Sequence, residues 1–330
     1  MDSLVAVGVC CLDSILTVDR FLSEDEKHKA SQLEKRTGGN VRNLLDVFKQ
    51  LSANTPLTLL AALPSANSSE TKRIQDSLGS AVNFEHCFFR EQTDDAPFSW
   101  IIKNSATGSR TAVGYNTVRD MTLEEFKDAA DRNASISPLY HFEGRIPEVS
   151  LQCIRYLRDK YPHAKISVEV EKPGRPALQE MARLANIVFY SKSWAEANGF
   201  TSAEECLRSQ PAIPMFAKYL CITWGASGAS VLTLPDQKYF STPAFKVEGK
   251  EVIDTIGAGD TFTAGLLYGL YFHHPKSNHP DHVWTTHEAL KFANELAGRK
   301  VVQEAYAGLG EAMKARVKEL DEEACNRTHV

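Results

Sequence analysis

The chain has 330 residues, of which 43% are hydrophobic and 24% are charged, and its formal net charge is −5. This length allows one large α/β domain or two ordinary ones, and a mildly acidic chain without a basic block is not expected to bind nucleic acid or an anionic membrane. With no apolar run near the ~20 residues of a membrane span, no secretory leader and seven scattered cysteines without a CxxC pair, we expect a cytoplasmic protein with reduced thiols.

The first predicted element is a nearly continuous apolar segment, residues 4–10, which is typical of a strand buried on both faces of a sheet. Asp13 lies just beyond it. Because ligands of open α/β sheets bind beyond the carboxyl ends of the strands, Asp13 is a candidate ligand residue, and the alternative is an ordinary turn aspartate. Residues 14–21 alternate in polarity and predict a second, half-exposed strand.

A glycine turn, Gly38-Gly39-Asn40, leads into a segment with the apolar spacing of a helix at 41–51. Asn40 and Asn43 fall near the N-terminus of this helix. One interpretation is that these residues cap the helix. The other is that they bind sugar hydroxyls, since an amide side chain both donates and accepts hydrogen bonds at fixed angles.

Two β-rich stretches, 98–102 and 111–115, flank a loop containing Gly108 and predict a hairpin. This hairpin interrupts the surrounding alternation of strands and helices. We therefore expect it to belong to a lid or an interface ribbon and not to the central sheet.

From residue 122 onward, helices and strands alternate in the order that predicts a parallel, doubly wound sheet. The predicted helices are 123–132, 149–160, 176–184 and 193–198, and the predicted strands are 139–143, 166–171, 187–190 and 219–223, with 230–234 pairing back on the last. No linker or repeat divides the chain, which favours one core domain with a small lid.

The segment Asp-Thr-Ile-Gly-Ala-Gly-Asp-Thr-Phe at 254–262 is the most informative motif. A glycine turn that enters a helix directs unpaired N–H groups and the positive end of the helix dipole outward, which favours a phosphate. A carboxylate beside a phosphate is unfavourable unless Asp260 takes a proton from an attacking hydroxyl. The alternative is an ordinary helix start with an aspartate in its first turn. No GxxxxGK[ST] loop occurs, and no strand is followed by GxGxxG.

Two late segments have no assigned function. Residues 273–287 contain five of the ten histidines; we expect a polar surface excursion there and weigh a metal site as the alternative. The charged run 311–323 has weak helical periodicity and predicts a solvated terminal helix or tail.

The motif at 254–262 resembles a signature of the ribokinase-like (PfkB) carbohydrate kinases, and Gly38-Gly39-Asn40 resembles the other signature of that family. Further matching stretches follow the order of the family between residues 4 and 309; they lie at 108–111, 141–145, 167–173, 191–192 and 199–205. Within the family, these stretches are most similar to the branch that phosphorylates ketoses.

The resemblance implies an α/β, ribokinase-like fold, in which a doubly wound, mainly parallel sheet carries a small β-clasp lid. It implies one kinase domain at 1–310, with lid segments at about 13–36 and 96–116, followed by the charged helix or tail at 311–330. In this family the lid closes over the sugar and forms a homodimer.

The resemblance also implies a reaction and its cofactors. The γ-phosphoryl group of ATP, with Mg²⁺, would pass to a primary hydroxyl of a ketose, D-fructose giving fructose 1-phosphate, and K⁺ is a further candidate cofactor. Another sugar or a nucleoside as acceptor, or a sugar sensor without activity, remain alternatives.

The implied site follows from positions that match the family. Asp260 would be the catalytic base, Gly257, Ala258 and Gly259 the anion hole, and Arg110 a ligand of the phosphates. The sugar would be held by Asp13, Gly39, Asn40, Asn43 and Asp260, and the nucleotide by Lys192, Gly225, Ala226, Ser227, Gly228, Ala293 and Asn294. The family's Asn-x-x-Glu motif reads Ser191-Lys192-Ser193-Trp194 here, so the metal ligands are unassigned, and Ala305 replaces an expected glycine.

Overall fold

The computed structural model describes residues 2–133, 137–210, 216–274 and 283–327. In these ranges the strands are β1 (Asp2–Val7), β2 (Cys11–Val18), β3 (Gln32–Gly38), β4 (Leu57–Leu60), β5 (Ala62–Pro64), β6 (Val82–Asn83), β7 (Phe88–Arg90), β8 (Phe98–Asn104), β9 (Arg110–Tyr115), β10 (Ser137–Phe142), β11 (Lys165–Val170), β12 (Ile187–Ser191), β13 (Tyr219–Thr223), β14 (Ala229–Thr233) and β15 (Tyr239–Thr242). The helices are α1 (Asn40–Leu51), α2 (Ser69–Leu78), α3 (Leu123–Arg132), α4 (Pro147–Lys160), α5 (Leu178–Leu184), α6 (Lys192–Ala197), α7 (Ala203–Arg208), α8 (Ala258–Leu267), α9 (Thr286–Val301) and α10 (Leu309–Arg327).

A large sheet of nine strands forms the centre of the fold, in the order β15-β14-β13-β12-β11-β10-β1-β4-β6. Neighbouring strands are parallel from β6 to β13, and β14 and β15 are antiparallel. The predicted doubly wound, mainly parallel α/β fold is therefore confirmed.

Alternate side chains of the central strands supply two cores, one on each face of the large sheet. In β1, Leu4 and Ala6 pack with α1, α8, α9 and α10, whereas Val5 and Val7 pack with residues of α3, α4, α5, α6 and α7. This follows from the period of two along a strand, and it explains why residues 4–7 of β1 are all apolar.

A second, small sheet has the order β3-β2-β8-β9. Strands β8 and β9 form the predicted antiparallel hairpin, and β2 pairs with β8 in parallel. The inner face of this small sheet includes Asp13, Arg36, Ser99 and Arg110, which alternate with the residues of the outer face. All residues of β9 are exposed, so this hairpin is not part of the main core.

The terminal helix α10 differs from the prediction of a solvated helix or tail. Its residues Leu309, Met313, Leu320 and Ala324 are buried in the core that also contains α1 and α9. These four positions form one stripe on the helix, and the charged residues occupy the remaining surface. The many charges between them hide the stripe in the sequence.

The histidine-rich segment differs from the expected surface excursion at His273, whereas the neighbouring His274 is exposed as expected. His273 is buried, and its Nε2 lies 2.6 Å from Asp321 Oδ1 while its Nδ1 lies 3.0 Å from the Tyr268 hydroxyl. His279 and His282 lie outside the described residues. Across the described ranges, no group of three or more His, Cys, Asp or Glu side chains is arranged to hold a metal ion, and no helix is long and apolar enough to span a bilayer.

Candidate active site

Two glycine turns bring α1 and α8 together. Gly39 has a φ of 105°, and a Cβ atom at this position would collide with the carbonyl oxygen of Val9. Only glycine fits there, because the turn passes directly over the end of β1. The result is that Asn43, on the first turn of α1, donates from Nδ2 to Oδ2 of Asp260 on α8 over 2.7 Å.

One interpretation of the sequence is that Asn40 and Asn43 cap α1. In the structure, neither side chain does so. The helix begins after Gly39 without any capping side chain. Asn40 Nδ2 instead donates to Glu169 Oε2 (2.8 Å) and to Glu171 Oε2 (3.1 Å). Both amides therefore face carboxylates and not the helix terminus.

The turn before α8 has the form expected of an anion hole. Gly257 has a φ of 76° and precedes the helix without a capping side chain. In the described part of the chain, the N–H groups of Gly257 and Gly259 have no acceptor, while Ala258 N–H donates to the Thr255 carbonyl oxygen over 3.3 Å. Two of the three predicted N–H donors are therefore available to an anion at a helix start.

A polar cavity of about 480 Å³ lies between the carboxyl edge of the large sheet and the inner face of the small sheet. Every residue predicted to hold the sugar lines it, namely Asp13, Gly39, Asn40, Asn43 and Asp260. Arg110, Gly257 and Gly259 line it as well. These residues come from four elements, β2, α1, β9 and α8, and from the turns that precede the two helices, and the structure brings them to one cavity.

Burial controls the basicity of Asp260. The pKa of its carboxyl is raised well above the usual range by desolvation and then by the negative charge of Glu169, and the hydrogen bond from Asn43 opposes the shift. A carboxylate held in this way accepts a proton more readily than an exposed aspartate. The site therefore places a carboxyl group with a raised pKa next to the turn at Gly257.

Sequence reasoning did not assign the carboxylates at the end of β11. Glu169 is buried between Asn40 and His141, whose Nε2 lies 3.2 Å from Glu169 Oε1, and desolvation together with the charge of Glu143 raises the pKa of Glu169 to about 8. Desolvation of Glu171 is outweighed by the hydrogen bond and charge of Lys172, and the pKa of Glu171 is lowered. The available signal in the sequence was the pair of glutamates at the end of a mostly buried strand.

A second, mainly apolar cavity of about 450 Å³ lies beside the first. It is lined by four of the predicted nucleotide residues, namely Gly225, Ala226, Gly228 and Asn294. Thr223, Thr255, Gly259 and Phe262 line both cavities. A group transferred between ligands in the two cavities would therefore pass the anion-hole turn.

Three predicted nucleotide residues do not line this cavity. Ala293 is fully buried against Gly265, where α8 and α9 pack. Lys192 is exposed on α6 and lies 3.5 Å from Glu196. Ser227 belongs to the correct turn but lies outside the lining. Position along the chain places these residues near the site, but the direction of a side chain depends on local packing.

Ala305, at the position of an expected glycine, has a φ of 52°. This is the left-handed region, which costs a residue with a Cβ about 1–2 kcal/mol. The local backbone thus keeps the conformation that glycine would favour.

Comparisons with known proteins identify relatives over nearly the whole chain. The family model described as pfkB family carbohydrate kinase matches residues 1–311. Ketohexokinase of Mus musculus is 28% identical over 313 residues, covering 93% of this chain and 98% of its own, and a nucleoside kinase of Methanocaldococcus jannaschii is 23% identical over 274 residues, covering 81% and 83%. The structure of Arabidopsis thaliana ribokinase complexed with ribose and ATP superposes with a TM-score of 0.73 at 17% identity, covering 97% of this chain and 98% of the other, which confirms the ribokinase-like fold.

Proposed function

The chain belongs to the pfkB family of carbohydrate kinases, which are phosphotransferases with an alcohol group as acceptor, and we propose that it transfers the γ-phosphoryl group of ATP to a primary hydroxyl of a ketose. D-Fructose is the proposed acceptor, with fructose 1-phosphate as the product. The observation that carries the proposal is the position of Asp260, which lines the polar cavity next to Gly259, a residue that both cavities share.

The reaction follows from this placement. The sugar lies in the polar cavity and ATP in the apolar one, with the γ-phosphate at the anion-hole turn. Asp260 takes the proton of the attacking hydroxyl as the new O–P bond forms and the bond between the γ-phosphorus and the β-phosphate oxygen breaks, which releases ADP. The N–H groups of Gly257 and Gly259 stabilise the charge on the transferring group.

Mg²⁺ fits this site as an ion that enters with the nucleotide. Because the described residues include no cluster of three or more metal-ligating side chains, most of its ligands would be phosphate oxygens and water, as Mg²⁺ commonly prefers. Glu171, which lines the polar cavity and has a lowered pKa, is the ionised carboxylate suited to hold one of those waters. When bound, the ion neutralises charge on the phosphates.

The lining of the polar cavity favours a sugar over a nucleoside as the acceptor. Asp13, Asn40, Asn43 and Glu169 give it several donors and acceptors, which suit a molecule with hydroxyls on every side. The murine relative is a ketohexokinase and the archaeal relative a nucleoside kinase, so both classes of acceptor belong in the test.

The test is ADP release measured with MgATP across ketoses, aldoses and nucleosides, with the position of the product phosphate assigned by NMR. We expect D-fructose to give the highest kcat/KM and a phosphate on O1. A higher kcat/KM with a nucleoside or an aldose would contradict the proposed acceptor. Binding of sugars without ADP release from any acceptor would favour a sensor.

Arg110 lies on the inner face of the small sheet and lines the polar cavity. If its guanidinium binds the phosphates, Arg110→Ala is expected to raise KM for ATP about tenfold, with a smaller effect on KM for the sugar. Arg110→Lys, which keeps the charge, serves as the matched variant and is expected to recover part of the loss. An unchanged KM for ATP in Arg110→Ala would show that this arginine is only a solvated charge.

The small sheet is also the proposed surface for a homodimer. Its outer face exposes four large apolar side chains, those of Leu33, Trp100, Val113 and Tyr115. A contiguous exposed apolar patch is typical of an interaction surface, and the inner face of the same sheet covers the polar cavity. We propose that two copies pack through these outer faces, with the small sheet acting as the lid of each site.

Light scattering after gel filtration tests the dimer. The wild-type protein is expected to elute with twice the chain mass of 36.6 kDa, and Trp100→Glu to elute as a monomer, because a buried unpaired carboxylate is strongly unfavourable at an interface. Val283→Glu, which alters an exposed side chain away from the small sheet, is the control and should remain dimeric. A monomeric wild-type protein, or a dimeric Trp100→Glu variant, would contradict this interface.

We place the reaction in the cytoplasm. Six cysteines are buried, and none of them forms a disulfide within the described ranges. Burial raises the pKa of Cys87 to about 12, so its thiol is protonated and unreactive. Unbridged buried thiols of this kind are typical of a reducing compartment.

A further inference from the structure

Asp254 opens the anion-hole motif, and its carboxylate joins three parts of the fold. Oδ2 accepts from Arg36 Nη1 of β3 over 3.0 Å and from Lys300 Nζ of α9 over 3.0 Å. Oδ1 accepts from the N–H of Ile256, next to Gly257, over 2.9 Å. This side chain therefore connects the small sheet and the main domain to the turn that would hold the phosphoryl group.

On one side, Asp254 is held by Lys300, a residue of the main domain. Lys300 is fully buried, and its Nζ also donates to the carbonyl oxygen of Asp254 over 3.1 Å. A buried ammonium needs such partners, since an unpaired one is very costly. Lys300 also lies over the ring of Tyr306 at 5.4 Å, and Tyr306 packs beneath Gly257. Thus α9 and the segment after it support the turn from the main domain.

The contact with Arg36 belongs to the small sheet. Arg36 pairs with Asp13 in the register of β2 and β3, so both residues lie on the inner face of the small sheet, and Arg36 lines a separate small cavity together with Asp254 and Ile256. A second link from the same sheet, Lys103 Nζ to the carbonyl oxygen of Ile253, spans 3.2 Å. Since the polar cavity lies between the two sheets, displacement of the small sheet for ligand entry would break both links.

We propose that Arg36 is a positioning residue that couples closure of the small sheet to the placement of the anion-hole turn through Asp254. The proposal rests on the proposed kinase function. When the small sheet is closed, the carboxylate of Asp254 is held from both sides and fixes the N–H of Ile256. When the small sheet is displaced, only Lys300 remains. The turn then loosens until an acceptor has been covered, which would limit transfer of the phosphoryl group to water.

Arg36→Met, which keeps most of the apolar stem and removes the charge, tests this coupling. We expect kcat to fall about tenfold while the dissociation constant for a non-hydrolysable ATP analogue changes less than about twofold. Arg36→Lys is expected to recover part of kcat. Arg208→Met is the matched control, because Arg208 is an arginine that pairs with a carboxylate, Glu204, on α7 and lines neither cavity; its kcat should equal that of the wild type.

Hydrogen exchange of the full chain without ligands supplies a readout that does not depend on activity. Amides 256–261 should exchange about tenfold faster in Arg36→Met than in the wild type or in Arg208→Met. In an Asp254→Asn background, Arg36→Met should lower kcat by less than about twofold further, since the two changes remove one link. If Arg36→Met does not fold, Arg36→Lys is compared with the wild type in the same exchange measurement.

The two proposals fail in different ways. If the wild type phosphorylates no acceptor, the proposed function is wrong, and hydrogen exchange still decides the coupling. If the wild type is active and Arg36→Met matches it in both kcat and exchange, the coupling is overturned and the function stands. If the losses of kcat in Asp254→Asn and Arg36→Met add independently in the double variant, the coupling is also overturned.

Discussion

Replacement of Asp260 by asparagine is expected to lower kcat by about 10²- to 10⁴-fold, the usual contribution of a general base. The amide has nearly the same shape, so its oxygen can still accept from Asn43 Nδ2, which lies 2.7 Å from Asp260 Oδ2 in the wild type. The amide cannot take the proton of the attacking hydroxyl. ATP should bind as before, because the apolar cavity is not lined by Asp260. Steady-state kinetics with the preferred acceptor and titration with ATP measure the two effects.

The pH profile is a second measure of the same assignment. Desolvation and the charge of Glu169 raise the pKa of Asp260, and the base acts only when deprotonated. In the wild type, kcat/KM should therefore fall as pH decreases, starting above the range of an ordinary carboxyl group. The residual activity of Asp260→Asn should lack this acidic limb.

Asp46→Asn is the matched control for Asp260→Asn. Asp46 is a carboxylate on α1 that pairs with Arg42 and Lys49 and lines neither cavity. Its replacement should leave kcat close to that of the wild type. Near-normal turnover in Asp260→Asn, with or without an effect in the control, would remove Asp260 from the role of base.

The sequence predicted the general fold because alternating strands and helices are typical of a parallel, doubly wound sheet. It placed Asp13 just beyond the first strand of that sheet, whereas Asp13 lies within β2 and lines the polar cavity from the inner face of the small sheet. The glycines at 39 and 257 could also be interpreted from sequence, because their turns need a positive φ.

Other features depend on packing that a linear pattern does not contain. Glu169 and Glu171 occur in a strand matched to the family, but their contacts with Asn40 appear only when β11 lies beside the first turn of α1. Lys192 faces solvent because of the rotation of α6. The buried face of α10 was hidden by its charges. In each case the sequence shows where the residue lies along the chain, but not the direction in which its side chain points.

Gly257→Ala is expected to lower both the stability and the turnover, because it alters the turn that would hold the phosphoryl group. The residue has a φ of 76°, and a Cβ there would collide with the hydroxyl of Tyr306. The backbone cost alone is about 1–2 kcal/mol, and the collision adds to it. A turn displaced to relieve the collision would misplace the N–H groups of 257 and 259, and loss of one such donor lowers kcat by about 10²- to 10³-fold. Denaturant unfolding and steady-state kinetics measure the two effects.

Two further variants separate the backbone cost of Gly257→Ala from the cost of its collision with Tyr306. Gly79→Ala alters a glycine with a φ of 67° and no atom within 4 Å of the added Cβ, so its loss of stability measures the backbone cost without a collision. Tyr306→Phe removes the hydroxyl, which is the nearest colliding atom, but the ring atoms Cζ and Cε1 would still lie 2.8 and 2.9 Å from the new methyl group. The double variant Gly257→Ala/Tyr306→Phe should therefore regain only part of the stability that Gly257→Ala loses beyond the loss in Gly79→Ala. Because the left-handed backbone stays unfavourable for alanine, kcat should recover only partly. A Gly257→Ala variant with wild-type stability and turnover would show that this turn neither needs glycine nor binds the transferring group.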